Sequence, residues 1–133
     1  MQRTNRGFTL VELITVMILI GIISVTLFSR LGSIASSRVQ AGRDDLIAAL
    51  FFAQQTAMAR SGVQCIIASN SLSVKENGAN AKGYPLALPT GVTATAANLS
   101  YDKLGRTTAT SIVLTGTDGS SATVKVEATG YAH

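Results

Sequence analysis

Only one cysteine and one histidine occur in this chain of 133 residues. A single cysteine, Cys65, forms no intramolecular disulfide, so no bridge staples the fold. Its expected place is a small buried position in a strand. A single histidine, His133, at the last position, leaves no metal centre and no histidine-based catalytic pair. Charge is also scarce: charged residues are 14% and apolar residues 47% of the chain. That balance is too apolar for a disordered segment. Nucleic-acid affinity draws little support from a formal charge of +4. Removing residues 1–7 takes away Arg3 and Arg6 and leaves nine basic against seven acidic side chains. Beyond position 60 the cations are scattered singly, as on a solvated surface. No Gly-rich phosphate loop follows a strand, and neither Ser-x-x-Lys nor Gly-x-Ser-x-Gly occurs. Asp44 and Asp45 diverge by about 100° on a helix, so they read as a solvated face rather than a metal or acid pair. The chain is therefore expected to be no enzyme, with no catalytic residues, cofactor or metal.

What is present is concentrated at the N-terminus. Residues 8–28 read FTLVELITVMILIGIISVTLF, 21 residues with one charge. At about 1.5 Å per residue this spans roughly the 30 Å of a bilayer core. Arg3 and Arg6 before it place the N-terminus in the cytoplasm and the rest of the chain across the membrane. A secretory signal peptide is the competing reading, with Ser33-Ile34-Ala35 as its cleavage site. The apolar run is too long for one, and Glu12 sits inside it. A carboxylate at the centre of a lipid-embedded helix costs about 2.5–3.5 kcal/mol. Near the helix N-terminus the cost falls, because the dipole favours negative charge there. An ordinary anchor gains nothing from Glu12, so that residue calls for a purpose.

Residues 6–12, Arg-Gly-Phe-Thr-Leu-Val-Glu, resemble the class III leader of type IV prepilins and type II secretion pseudopilins. The resemblance implies that a membrane-embedded prepilin peptidase cuts after Gly7 and methylates the new N-terminus at Phe8. It also matches Glu12 to the family's glutamate, five residues into the processed chain. Physical chemistry supplies a role for the pair. Cleavage creates an amine with a reference pKa near 7.7–8.0. On a helix, Phe8 and Glu12 lie four residues apart on one face. When helices pack together, amine and carboxylate lose hydration and compensate only by pairing. The expectation is that Glu12 meets the Phe8 amine of a neighbouring subunit and fixes axial register.

The helical pattern continues past the apolar run. No proline occurs between Arg30 and Arg60. Val39, Leu46, Leu50, Ala53 and Ala57 form a stripe flanked by Ile47, Phe51 and Met58. Gly62 is a suitable stop. One helix from about Phe8 to Ser61 results, with Gly21, Gly32 and Gly42 as weak points. Relatives often carry a proline near the position of Ser29, and this chain has none. Phe52 points away from the stripe, toward either a neighbouring subunit or an overhanging part of the head.

Beyond Gly62 the period changes to two. Strands are expected over Val63–Ser69, Leu72–Lys75 and Ala97–Tyr101. A hairpin is expected from Ser111–Thr115 to Ala122–Ala128 around Thr117-Asp118-Gly119-Ser120. The segment from Tyr84 to Pro89 reads as extended. Short strands alone bury little, so they need the apolar face of the helix. The expected class is α+β: a long N-terminal helix, membrane-spanning in its first half, with a C-terminal antiparallel β-sheet head on its second half. The segments are a leader (1–7), a transmembrane half (8–28), an amphipathic half (29–61) and the head (62–133).

Tyr101-Asp102-Lys103-Leu104-Gly105-Arg106-Thr107, Ile112-Val113-Leu114, Val124-Lys125-Val126 and Gly130 resemble the head shared by pseudopilin H and FimT-like minor pilins. The helix end from Ala53 to Gly62 fits the same group, and the overall look is that of minor subunits of mannose-sensitive haemagglutinin pili. This implies a minor pilin that initiates or caps a filament and supports surface adhesion. A type II secretion pseudopilin is the alternative, and a DNA-binding pilin for uptake is the second. The DNA-binding relatives use basic residues near the C-terminus, whereas this chain ends Gly130-Tyr131-Ala132-His133. Implied partners are the prepilin peptidase, major and minor pilins, the inner-membrane assembly platform and lipid before assembly, with nucleic acid disfavoured. The implied location is the bacterial inner membrane with a periplasmic head, then a pilus or pseudopilus at the cell surface.

Overall fold

The computed structural model describes residues 8–133, with the backbone alone at 28–33. The expected leader, Gly7 included, lies outside the described residues, as do the surroundings of Gly32. One helix, α1, runs Leu10–Ala59. Its residues divide between two compact units, Met1–Ser33 and Ile34–His133.

In the first unit α1 contains Leu10–Leu27, 18 residues with a mean hydropathy of 2.6 and none buried within the protein. Length and composition suffice to cross a membrane.

In the second unit α1 supplies one wall of the core. Val39, Leu46, Leu50, Ala53 and Ala57 are all buried, as their spacing requires. Gly42 belongs to the same face. A Cβ there would lie 3.3 Å from Leu114 Cδ2 and 3.4 Å from Pro89 and Val92, so this glycine permits close packing of helix on sheet. Phe51 and Met58 fall outside the core, 59% and 55% exposed. The head covers Phe52 in part: its ring stacks on Tyr84 at a centroid distance of 5.7 Å, and the residue stays 38% exposed.

Gly62, at φ +73°, turns the chain off the helix in the left-handed conformation that favours glycine. The strands that follow are β1 (Val63–Ile67), β2 (Ser71–Glu76), β3 (Ala79–Asn80), β4 (Leu86–Ala87), β5 (Val92–Ala94), β6 (Ala97–Tyr101), β7 (Thr110–Gly116) and β8 (Ser121–Val126). Asn77 and Gly78, both at positive φ, make the two-residue turn between β2 and β3.

The head is two antiparallel sheets rather than one. The first has the order β3-β2-β1-β6, with β4 also on β2; the second has the order β5-β7-β8. In the first, Val63 pairs with Glu76 on one side and Tyr101 on the other. In the second, Ile112 pairs with Val124. Alternation puts Val63, Cys65, Ile67, Leu72, Val74, Leu99, Ile112, Leu114 and Val124 inward against the helix stripe. Leu50 is fully buried among them, and truncation to alanine would cost about 2–5 kcal/mol. The sequence pattern misses β3, β5 and a short pairing of the C-terminus. It finds β6 at its observed bounds.

Candidate functional site at the helix N-terminus

The start of α1 is built by Thr9. Its carbonyl accepts the first helical bond from the Leu13 N–H at 3.2 Å. Its Oγ1 accepts the Glu12 N–H, also at 3.2 Å. Thr9 is thus the N-cap and Glu12 the third helical residue, the Thr-x-x-Glu arrangement of a capping box. The sequence carries this signal in Thr9-Leu10-Val11-Glu12 ahead of an apolar run, within the residues that resemble the leader. Phe8 precedes the cap and lies outside the helix. The one-face spacing of Phe8 and Glu12 expected from a helix starting at Phe8 is therefore not formed here.

Glu12 is exposed and stands at the positive end of the helix dipole. Among the described residues no ion pair includes it. The other polar side chains between Leu10 and Leu27 are hydroxyls satisfied by the helix itself. Thr15 donates to the Val11 carbonyl at 2.8 Å, Ser24 to Ile20 at 2.7 Å and Thr26 to Ile23 at 2.8 Å. Such bonds let hydroxyls sit in lipid. Glu12 is the one charged residue between Leu10 and Leu27.

Among the described residues no cluster of His, Cys, Asp or Glu is able to hold a metal ion. Asp44 lies 3.8 Å from Arg43 on an exposed part of the helix. Cys65 is fully buried in β1, and burial pushes its thiol up to about 12. Burial also raises Tyr101, whose hydroxyl is buried without a hydrogen-bond partner. Arg60 pairs with Glu76 beside an open groove lined also by Phe52 and Lys82. In the 102–106 turn, Asp102 accepts the N–H groups of Leu104 and Arg106, both at 2.9 Å, and pairs with the Arg106 guanidinium. The Arg106 backbone bond is the main cause holding its carboxyl below the usual range. Gln54 Nε2 donates to the carbonyls of Gly105 at 3.2 Å and Thr129 at 3.1 Å, tying two surface turns to the helix.

Residues 2–28 match the family model described as the prokaryotic N-terminal methylation motif. The solved structure of the type IV minor pilin FimU from Pseudomonas aeruginosa (strain PAO1) is similar, with a TM-score of 0.54 and 19% identity. The similarity covers 71% of this chain and 90% of that one. At that identity the likeness is one of fold. No curated protein matches the chain. The chain thus combines an N-terminal methylation motif with the type IV pilin fold.

Proposed function

We propose that this chain is a minor pilin, processed between Gly7 and Phe8 by a prepilin peptidase and N-methylated on Phe8. Residues 8–28 hold it in the inner membrane with the head, residues 62–133, in the periplasm. It then joins a type IV pilus with major and other minor pilins through the inner-membrane assembly platform. There it helps to initiate or cap the filament and supports surface adhesion. The observation that carries this reading is Glu12, without an ion-pair partner among the described residues, at the third position of a capped helix whose following residues are apolar and uncovered.

The chemistry follows from the cut. Before cleavage Phe8 N is an amide and offers no charge. Afterwards it is an amine, mostly protonated at neutral pH. The Thr9 cap satisfies the Glu12 backbone N–H and leaves the Glu12 carboxylate free to accept. Leaving lipid requires the apolar segment to be covered again, by the matching segments of other subunits. In that setting Glu12 and the Phe8 amine of a neighbour neutralise each other, and a mismatch in axial register leaves both charges desolvated and alone.

A chain recovered from filaments with a mass that starts at methylated Phe8 supports the processing. A chain starting at Met1 or Ser36 refutes it. Glu12→Ala tests the register role: incorporation at the wild-type level would rule it out. A subunit of a type II secretion pseudopilus is the second reading, since the same leader and fold serve it, and neighbouring genes separate the two. DNA uptake is a third reading, which salt-dependent DNA binding by the chain in micelles would support and no binding at low salt would end.

A further inference from the structure

Asn77-Gly78 is the one asparagine–glycine pair in the sequence. It forms the turn between β2 and β3, with both residues at positive φ and both exposed. Asparagine and glycine supply the left-handed positions that such a turn needs. The same pair carries a chemical liability. Once the backbone rotates, the Gly78 nitrogen reaches the Asn77 side-chain amide carbon, and a cyclic imide closes between them. Glycine has no Cβ to hinder that approach, and a Cβ at Gly78 would meet nothing within 4 Å. Among the described residues neither the Asn77 side-chain amide nor the Gly78 N–H has a hydrogen-bond partner. The other described asparagines differ. Asn80 and Asn98 precede the buried residues Ala81 and Leu99, and the Ala81 N–H donates to the Val74 carbonyl at 2.8 Å. Asn70 precedes Ser71, the first residue of β2.

A left-handed residue turns the next nitrogen away from its own side chain, so ring closure waits for the turn to open. Little has to give. β3 is two exposed residues at the edge of the first sheet, paired to β2 only at Lys75–Asn80 and Glu76–Ala79. Short exposed elements of this kind open at low cost while the core stays folded.

We propose that Asn77 is a spontaneous modification site, converted through an imide with Gly78 into aspartate and isoaspartate. The Gly78 nitrogen attacks Asn77 Cγ; the N–Cγ bond forms and the Cγ–Nδ2 bond breaks. Ammonia leaves with the proton that the Gly78 nitrogen gives up. Water then opens the imide. Addition at Cγ gives aspartate, and addition at the Asn77 backbone carbonyl carbon gives isoaspartate, with the main chain routed through Cγ. Nothing is oxidised or reduced. Arg60 and Lys103 line the same open groove as Asn77, and their charge favours both the attacking amide anion and the resulting carboxylate. Isoaspartate adds a methylene to the main chain inside a two-residue turn. Turn length sets the register of a hairpin, so the pairing of β3 with β2 is lost, and the Ala81 bond to Val74 weakens with it.

Peptide mapping of the full chain, aged in micelles at mildly alkaline pH, tests the site. Asn77 is expected to convert about tenfold faster than Asn70, Asn80 or Asn98, and to give two separable products of equal mass. Its rate is expected to lie within about tenfold of that in the denatured chain, because the turn opens while the head stays folded. Conversion no faster than at Asn70, a single aspartate product, or conversion seen only in denaturant would each overturn the proposal. Amide exchange at Ala81 reads the consequence. It is expected to quicken about tenfold in the isoaspartate fraction and to stay unchanged in Asn77→Asp, which carries the charge without the added carbon. Equal exchange in the isoaspartate fraction and the fresh chain would overturn the loss of register.

Discussion

The Thr9 hydroxyl accepts the Glu12 backbone N–H at 3.2 Å, so the residue before the helix and the charged residue inside it form one cap. Replacing Thr9 with valine keeps the shape and removes the acceptor. The expected cost is about 1 kcal/mol of local helix stability. It should be seen as faster amide exchange at Glu12 in micelles, with Thr9→Ser behaving like the unaltered chain. Equal exchange in Thr9→Val would show that the cap carries no weight.

Gly42 and Gly21 look alike in the sequence and differ in the structure. A Cβ at Gly21 meets nothing within 4 Å, whereas one at Gly42 presses on Leu114, Pro89 and Val92. Gly42→Val is expected to destabilise the head by about 1–3 kcal/mol through overpacking. Thermal unfolding of the full chain in micelles should show a midpoint lower by several degrees. Gly21→Ala should leave that midpoint unchanged.

Much of this arrangement was legible in the sequence because it is periodic. The stripe from Val39 to Ala57, the β6 strand and the β7–β8 hairpin each carry enough repeats to declare a buried side. Two- and three-residue strands such as β3 and β5 are too short to show a period. Phe51 and Met58 were placed beside the stripe by spacing, but spacing does not say how far a sheet wraps around a helix. The second sheet was illegible for a related reason: strand order depends on contacts between β5 and β7, which local alternation does not encode. At the N-terminus the Thr9-Leu10-Val11-Glu12 pattern is present in the sequence too, but four residues are a weak signal, and the geometry of the first turn is what makes Thr9 the cap.

Gln54 makes a third prediction. Its amide holds the turns at Gly105 and Thr129 together. Gln54→Leu removes both donors and should cost about 1 kcal/mol. Exchange at the Gly105 and Gly130 amides should quicken together, since one side chain serves both turns. Quickening of one alone would mean that the turns are held separately.

Alkaline pH should destabilise the head. The Cys65 thiol is raised by burial to about 12, and Tyr101 and Tyr84 are raised chiefly by burial as well. A group whose folded value is raised stabilises fully below its unfolded value and loses that contribution as pH climbs toward the folded one. The unfolding free energy should therefore be flat near neutrality and decline from about pH 9 upward. Cys65→Ala should lessen the slope in denaturant titrations at pH 9–11.

Cys65 sits at the centre of β1, paired to β2 on one side and β6 on the other, with no surface of its own. Modification by a thiol reagent therefore requires the middle of the first sheet to part. The only sulfhydryl in the chain becomes a clock: its labelling rate reports how often the head opens. Labelling in live cells, before and after filaments form, would reveal whether assembly slows that opening, with no label engineered in.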